Sequence, residues 1–72
     1  MYSGRGESMT QYSIIGIKGD KVEDIVPRIN DVLEYIIKYI KEGKNKELSQ
    51  KIQEYDNVYI VNSWGAIVYK VK

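Results

Sequence analysis

Seventy-two residues with no cysteine and no histidine exclude a disulfide framework and the usual zinc-ligand sets. Lysine and arginine total 11 against 10 aspartates and glutamates, so no strong overall field draws in a polyanion. A chain this short makes one small domain that buries only about 60% of the surface its unfolded state exposes, so it depends on dense aliphatic packing or on association.

The aliphatic content is rich in isoleucine, and the aromatics are seven tyrosines and one tryptophan, with no phenylalanine. This Ile/Lys/Tyr/Glu usage fits a thermophile or an AT-rich genome alike. No apolar run approaches the ~20 residues that span a bilayer. The N-terminus lacks the charged-then-apolar order of a signal peptide. The expectation is a cytoplasmic protein with no membrane partner.

Residues 1–10 carry two glycines, two serines and no apolar periodicity, the pattern of a flexible tail. The domain is expected over 11–72. Gln11–Lys18 reads as the first strand, with β-branched weight from Ile14, Ile15 and Ile17. Gly16 marks a bulge or a close backbone approach. Gly19-Asp20 ends the strand, and Asp20 with Glu23 has the spacing of a helical capping box.

Val22, Ile25, Val26, Ile29, Val32, Leu33, Ile36, Ile37 and Ile40 then recur at intervals of three and four, one face of an α-helix. The spacing predicts a long helix from near Val22 to about Glu42, bent at Pro27, or a regular helix starting near Asp24 with Pro27 in its first turn. Gly43 supplies the stop. Asn45 caps a second helix of about Lys46–Tyr55, whose apolar edge is Leu48, Ile52 and Tyr55. Val58–Asn62 and Ala66–Lys72 form a hairpin around Ser63-Trp64-Gly65, with Gly65 in the left-handed position.

The expected fold is α+β: a small two-layer β-α-α-β-β domain. Its three-stranded sheet, closed by the hairpin, is covered on one face by the long helix. The helical crossover lets the first strand run parallel to one of the last two.

Side chains alternate across a strand, yet neither set here is polar. Ile15, Ile17, Val58, Ile60, Ala66 and Val68 are assigned to the helix side. Tyr12, Ile14, Tyr59, Val61, Ile67, Tyr69 and Val71 are assigned to the other, an apolar-aromatic patch larger than monomers usually expose. Three occupants suit it: another copy or another protein, the short helix, or single-stranded nucleic acid stacked on the tyrosines. The first is the leading expectation, a non-catalytic interaction module that forms a homodimer or serves as a small accessory subunit. Tyr12, Ile14, Tyr59, Val61, Trp64 and Tyr69 are its candidate partner-binding residues. The case requires Tyr12, Tyr59 and Tyr69 to lie together on one exposed face.

Nucleic-acid binding is the alternative, through the sheet tyrosines or through Lys38, Lys41, Lys44, Lys46 and Lys51. These lysines also suit a solvated helix face near the negative end of the helix dipole. Tyr35 and Tyr39 could line a pocket or touch a subunit, but the leading expectation is that they cap the edge of the core with their hydroxyls in water; a small ligand held between helix and sheet is the third reading. Asp20, Glu23 and Asp24 lack the oxygens and spacing of a calcium loop, and no cofactor is expected. With neither histidine nor cysteine, and no serine in a nucleophile-elbow context, an independent enzyme is not expected.

Overall fold

The computed structural model describes residues 11–72. The expected tail over 1–10 lies outside them. Within them the chain forms strand β1 Tyr12–Lys18, strand β2 Lys21–Ile29, helix α1 Leu33–Glu42, helix α2 Lys46–Glu54, strand β3 Asn57–Val61 and strand β4 Ile67–Lys70. The sheet order is β2-β1-β3-β4, and every neighbouring pair is antiparallel. This is a small α+β domain, as expected, but with four strands instead of three, and with the ten-residue α1 in place of the long helix expected from near Val22 to Glu42. Among the described residues no helix is long and apolar enough to cross a membrane.

The chief correction concerns Val22–Ile29. Gly19-Asp20 does not lead into a helix. It is a two-residue hairpin loop that pairs Lys18 with Lys21, and Gly19 takes a φ of 65°, the conformation glycine adopts without a Cβ penalty. The capping box is therefore absent. The β-branched Val22, Ile25, Val26 and Ile29 suit a strand, and Pro27 is tolerated because β2 is an edge strand.

Two register shifts explain the deceptive spacing. Ile15 pairs with Asp24 while Ile14 pairs with Val26, so Ile25 is an extra residue; a second shift lies between Tyr12–Ile29 and Ile14–Val26. Each bulge inserts one residue and breaks the period of two. Val22, Val26 and Ile29 thus fall at helical intervals in a strand. Arg28, inside the second bulge, has a φ of 56°.

The insertion of β2 also reverses the chain before the helices. β1 consequently runs antiparallel to β3, pairing Ile14 with Ile60 and Ile15 with Tyr59, where a parallel arrangement had been open.

The helix stop, the second helix cap and the hairpin loop are as expected, while the last strand is Ile67–Lys70 in place of Ala66–Lys72. Gly43 ends α1 with a φ of 65°. The Asn45 side chain accepts a hydrogen bond from the Leu48 N–H at 3.1 Å and caps α2. The Asn62 N–H donates to the Ala66 carbonyl at 2.9 Å and closes the Ser63-Trp64-Gly65 loop. The Asn62 carboxamide oxygen accepts from Trp64 N–H and Ala66 N–H, bracing that loop from inside.

The core lies between the helices and one sheet face. Ile36 of α1 and Leu48 of α2 pack with Ile14, Val58 and Ile60, and Tyr12, Tyr55, Tyr69 and Val71 close around them. Lys72 fastens the end of the chain to α2. Its ammonium donates to the carbonyls of Tyr55 (2.7 Å) and Gln53 (3.2 Å), filling acceptors that a helix C-terminus leaves open.

Candidate functional site

Register decides which residues share a face, because directly opposite residues on paired strands point the same way. Ile14 pairs with Ile60, and Ile60 with Tyr69, so Ile14 and Tyr69 belong to the helix side, with Tyr12 two residues along the same strand. All three pack in or against the core. Ile15, Tyr59 and Val61 take the opposite side. The assignment from sequence placed β1 one residue out of step with β3, and a one-residue slip moves every side chain of a strand to the other face.

The candidate partner-binding set is thereby divided. Tyr12, Ile14 and Tyr69 serve the core. Tyr59 and Val61 stand on the face away from both helices. Trp64, 88% exposed, projects from the hairpin tip. The requirement that Tyr12, Tyr59 and Tyr69 share one exposed face is not met.

An open apolar face exists nonetheless, with different members. Ile17 pairs with Val22 on one side and Asn57 on the other; Ile15 with Asp24 and Tyr59; Ser13 with Val61; Val61 with Ile67; Tyr59 with Lys70. The face therefore presents Val22, Ile17, Ile15, Tyr59, Val61 and Ile67 together with the polar Ser13 and Asn57, with Asp24 and Lys70 at its edges. Val22 and Ile67 are 63% and 59% exposed. Of the interior members, Ile15, Ile17 and Tyr59 are half-buried and Val61 is buried.

The helix side carries a different feature. A cleft of about 460 Å³ opens between β2, α1 and the start of α2, lined by apolar Ile14, Val26, Ile29, Ile36, Ile40 and Leu48, with Tyr35, Tyr39, Asp31 and Asn45 among them. Tyr35 and Tyr39 stand at the rim of this cleft, both exposed. The cleft was not legible in the sequence, because it depends on β2 being a strand that ends opposite α1.

Lys38, Lys41, Lys44, Lys46 and Lys51 are all exposed. Lys44 lies 3.6 Å from Glu42, the one ion pair among the described residues. Glu34 and Glu42 share a shallow hollow with Lys38 and Lys41, so the surface there mixes both signs. Among the described residues no three acidic side chains gather to hold a metal ion. Asp20 sits in the hairpin loop, while Glu23 and Asp24 alternate across β2.

Glu23 has a structural task. The Tyr55 hydroxyl donates to its Oε1 at 2.8 Å. That bond, then burial and then the nearby carboxylate charges of Glu23 and Glu54, raise the Tyr55 pKa above its ordinary value. The tie joins the end of α2 to the edge strand and works beside Asp56, whose Oδ2 accepts from the Gly19 N–H at 2.9 Å.

No family model matches the chain, and no curated protein or solved structure matches it.

Proposed function

We propose that this chain is a non-catalytic interaction module that self-associates through the open face of its sheet. The observation that carries the reading is the one-sided packing of the helices. Ile36 and Leu48 cover Ile14, Val58 and Ile60, while Val22, Ile17, Ile15, Tyr59, Val61 and Ile67 line the face they leave bare. An antiparallel sheet with a solvated face normally alternates apolar with polar. This face carries six apolar side chains against the polar Ser13 and Asn57, with Val22 and Ile67 the exposed members, and that excess favours a covering partner.

A second copy suits the face best. It is largely apolar, and a net charge of +1 gives copies little mutual repulsion. Tyr12 and Tyr69 pack against the core and do not anchor a partner on this face. Tyr59 is the aromatic residue left on the face. The face spans only four strands, so a weak dimer is expected, with dissociation on the order of micromolar or above.

Sedimentation over a wide concentration range tests this. The wild-type chain is expected to pass from monomer to dimer, and Ile15→Lys is expected to stay monomeric while keeping its fold. A wild-type chain that remains monomeric at the highest concentration rejects the reading.

The cleft supports a second reading, a small-ligand site. Its volume and its apolar lining with a few polar groups match ordinary ligand sites. Titration with octylamine and octanoate, followed at the methyls of Ile36 and Leu48, tests it. Saturable shifts with either probe support the reading, and unmoved methyls with both reject it.

A further inference from the structure

One row of residues crosses the open face from edge to edge. Asp24 on β2 stands beside Ile15 on β1, Ile15 beside Tyr59 on β3, and Tyr59 beside Lys70 on β4. The row is a carboxylate, two large apolar groups and an ammonium. Three inter-strand gaps of about 4.8 Å separate its ends by about 14 Å. Among the described residues neither Asp24 nor Lys70 has an ion-pair partner within its own chain.

This arrangement distinguishes between the ways two copies can meet. A face-to-face homodimer has its two-fold axis in the plane between the sheets. An axis running across the strands lays each edge over itself, so Asp24 faces Asp24 and Lys70 faces Lys70. An axis running along the strands, between β1 and β3, exchanges the edges. Asp24 then faces Lys70 of the partner subunit, and Ile15 faces Tyr59 of the partner subunit. The first arrangement sets like charges against each other twice; the second makes two ion pairs at the rim of an apolar centre.

We infer that the chain forms a face-to-face homodimer whose two-fold axis runs along the strands, with Asp24 of each copy paired to Lys70 of the other. The inference rests on the self-association reading above and adds its geometry. Aligned sheets pack about 10 Å apart and within about 30° of parallel. The long flexible stem of Lys70 bridges that gap at the rim to the shorter Asp24. Rim pairs of this kind set partner orientation more than affinity.

Charge reversal tests the geometry. Asp24→Lys alone creates two lysine–lysine contacts in the dimer, and Lys70→Asp alone creates two aspartate–aspartate contacts. Each is expected to weaken dimerisation by roughly tenfold at low salt. The double variant restores both pairs in reversed order and is expected to return to within about threefold of wild type. Both side chains are exposed, and circular dichroism verifies that the variants fold. Independently, the wild-type dimer is expected to weaken as salt rises from about 0.05 M to 0.5 M, because exposed pairs are screened. If the wild type dimerises but the single reversals leave it unchanged, or the double variant fails to recover, the orientation is overturned while the self-associating face survives. If the wild type does not dimerise at all, both are overturned.

Discussion

The ring of Tyr55 packs directly on the backbone of Gly16. A Cβ at Gly16 would stand 2.5 Å from Cγ, 2.6 Å from Cδ1 and 2.8 Å from Cδ2 of that ring. The contact joins the C-terminal end of α2 to the central strand β1, and the bond from Tyr55 to Glu23 carries the tie on to β2. Gly16→Ala is therefore expected to destabilise the fold by about 1–3 kcal/mol through overpacking. In a Tyr55→Ala background the same change is expected to cost nothing, or to stabilise by a few tenths, because alanine suits a strand better than glycine. Urea denaturation of the four variants measures the coupling. Equal penalties in both backgrounds would contradict this contact.

The same tyrosine gives the fold an alkaline weakness. Its pKa lies above the ordinary value of 10.0 because the neutral hydroxyl donates to Glu23. The folded state therefore holds that proton more tightly than the unfolded chain does. The stabilisation is complete below about pH 10 and is lost as pH rises through the folded-state value. Spectrophotometric titration is expected to show a late tyrosine component, ionising above the ordinary value. Tyr55→Phe should remove that late component and flatten the fall in stability over the same window.

Asn45 caps α2. Its side chain accepts from the Leu48 N–H, so Asn45→Ala is expected to cost about 1 kcal/mol, and Asn45→Gly only a few tenths. Thermal melts of the two variants check the order. Equal losses would mean that the cap bond contributes nothing.

Arg28 holds a left-handed backbone, φ 56°, that costs an L-residue roughly 1–2 kcal/mol. Its N–H also reaches the Ser13 hydroxyl oxygen at 3.4 Å, which helps fix the bulge in place. Arg28→Gly is expected to be neutral or to stabilise by up to about 1 kcal/mol. Arg28→Val is expected to destabilise by at least that much, since a β-branched side chain tolerates this conformation worst. Denaturation midpoints in the reverse order would place the bulge elsewhere.

What the sequence revealed and what it hid divide by range. The Asn45 cap, the Gly43 stop and the Ser63-Trp64-Gly65 loop each depend on residues within about five positions of one another. Their chemistry is written locally, and they were legible. Val22–Ile29 misled because its signal was periodicity, and two bulges turned a period of two into intervals of three and four. Pro27 was the local warning, since a helix interior resists proline where an edge strand accepts it.

The open face was half legible. That both sheet faces are apolar could be read from alternation alone. Which residues lie on which face could not, because the pairing of Ile14 with Ile60 is a long-range choice set by packing against Ile36 and Leu48. Tyr12 and Tyr69 were assigned to the bare side and pack against the core. Ile15 and Ile17 were assigned to the core side and line the bare face. Asp24, placed in a helix by its neighbours' spacing, emerges at the sheet edge only once β2 exists.

The most direct measurement concerns methyl groups on the two sides of one sheet. With a soluble paramagnetic probe, the methyls of Ile14 and Ile60 should be shielded at every protein concentration, because the helices cover them. Those of Ile15 and Ile17 should relax strongly in dilute solution and become shielded as concentration rises and a second chain closes over them. Methyls of Ile15 and Ile17 that stay equally accessible from the most dilute to the most concentrated sample would contradict the pairing of two copies.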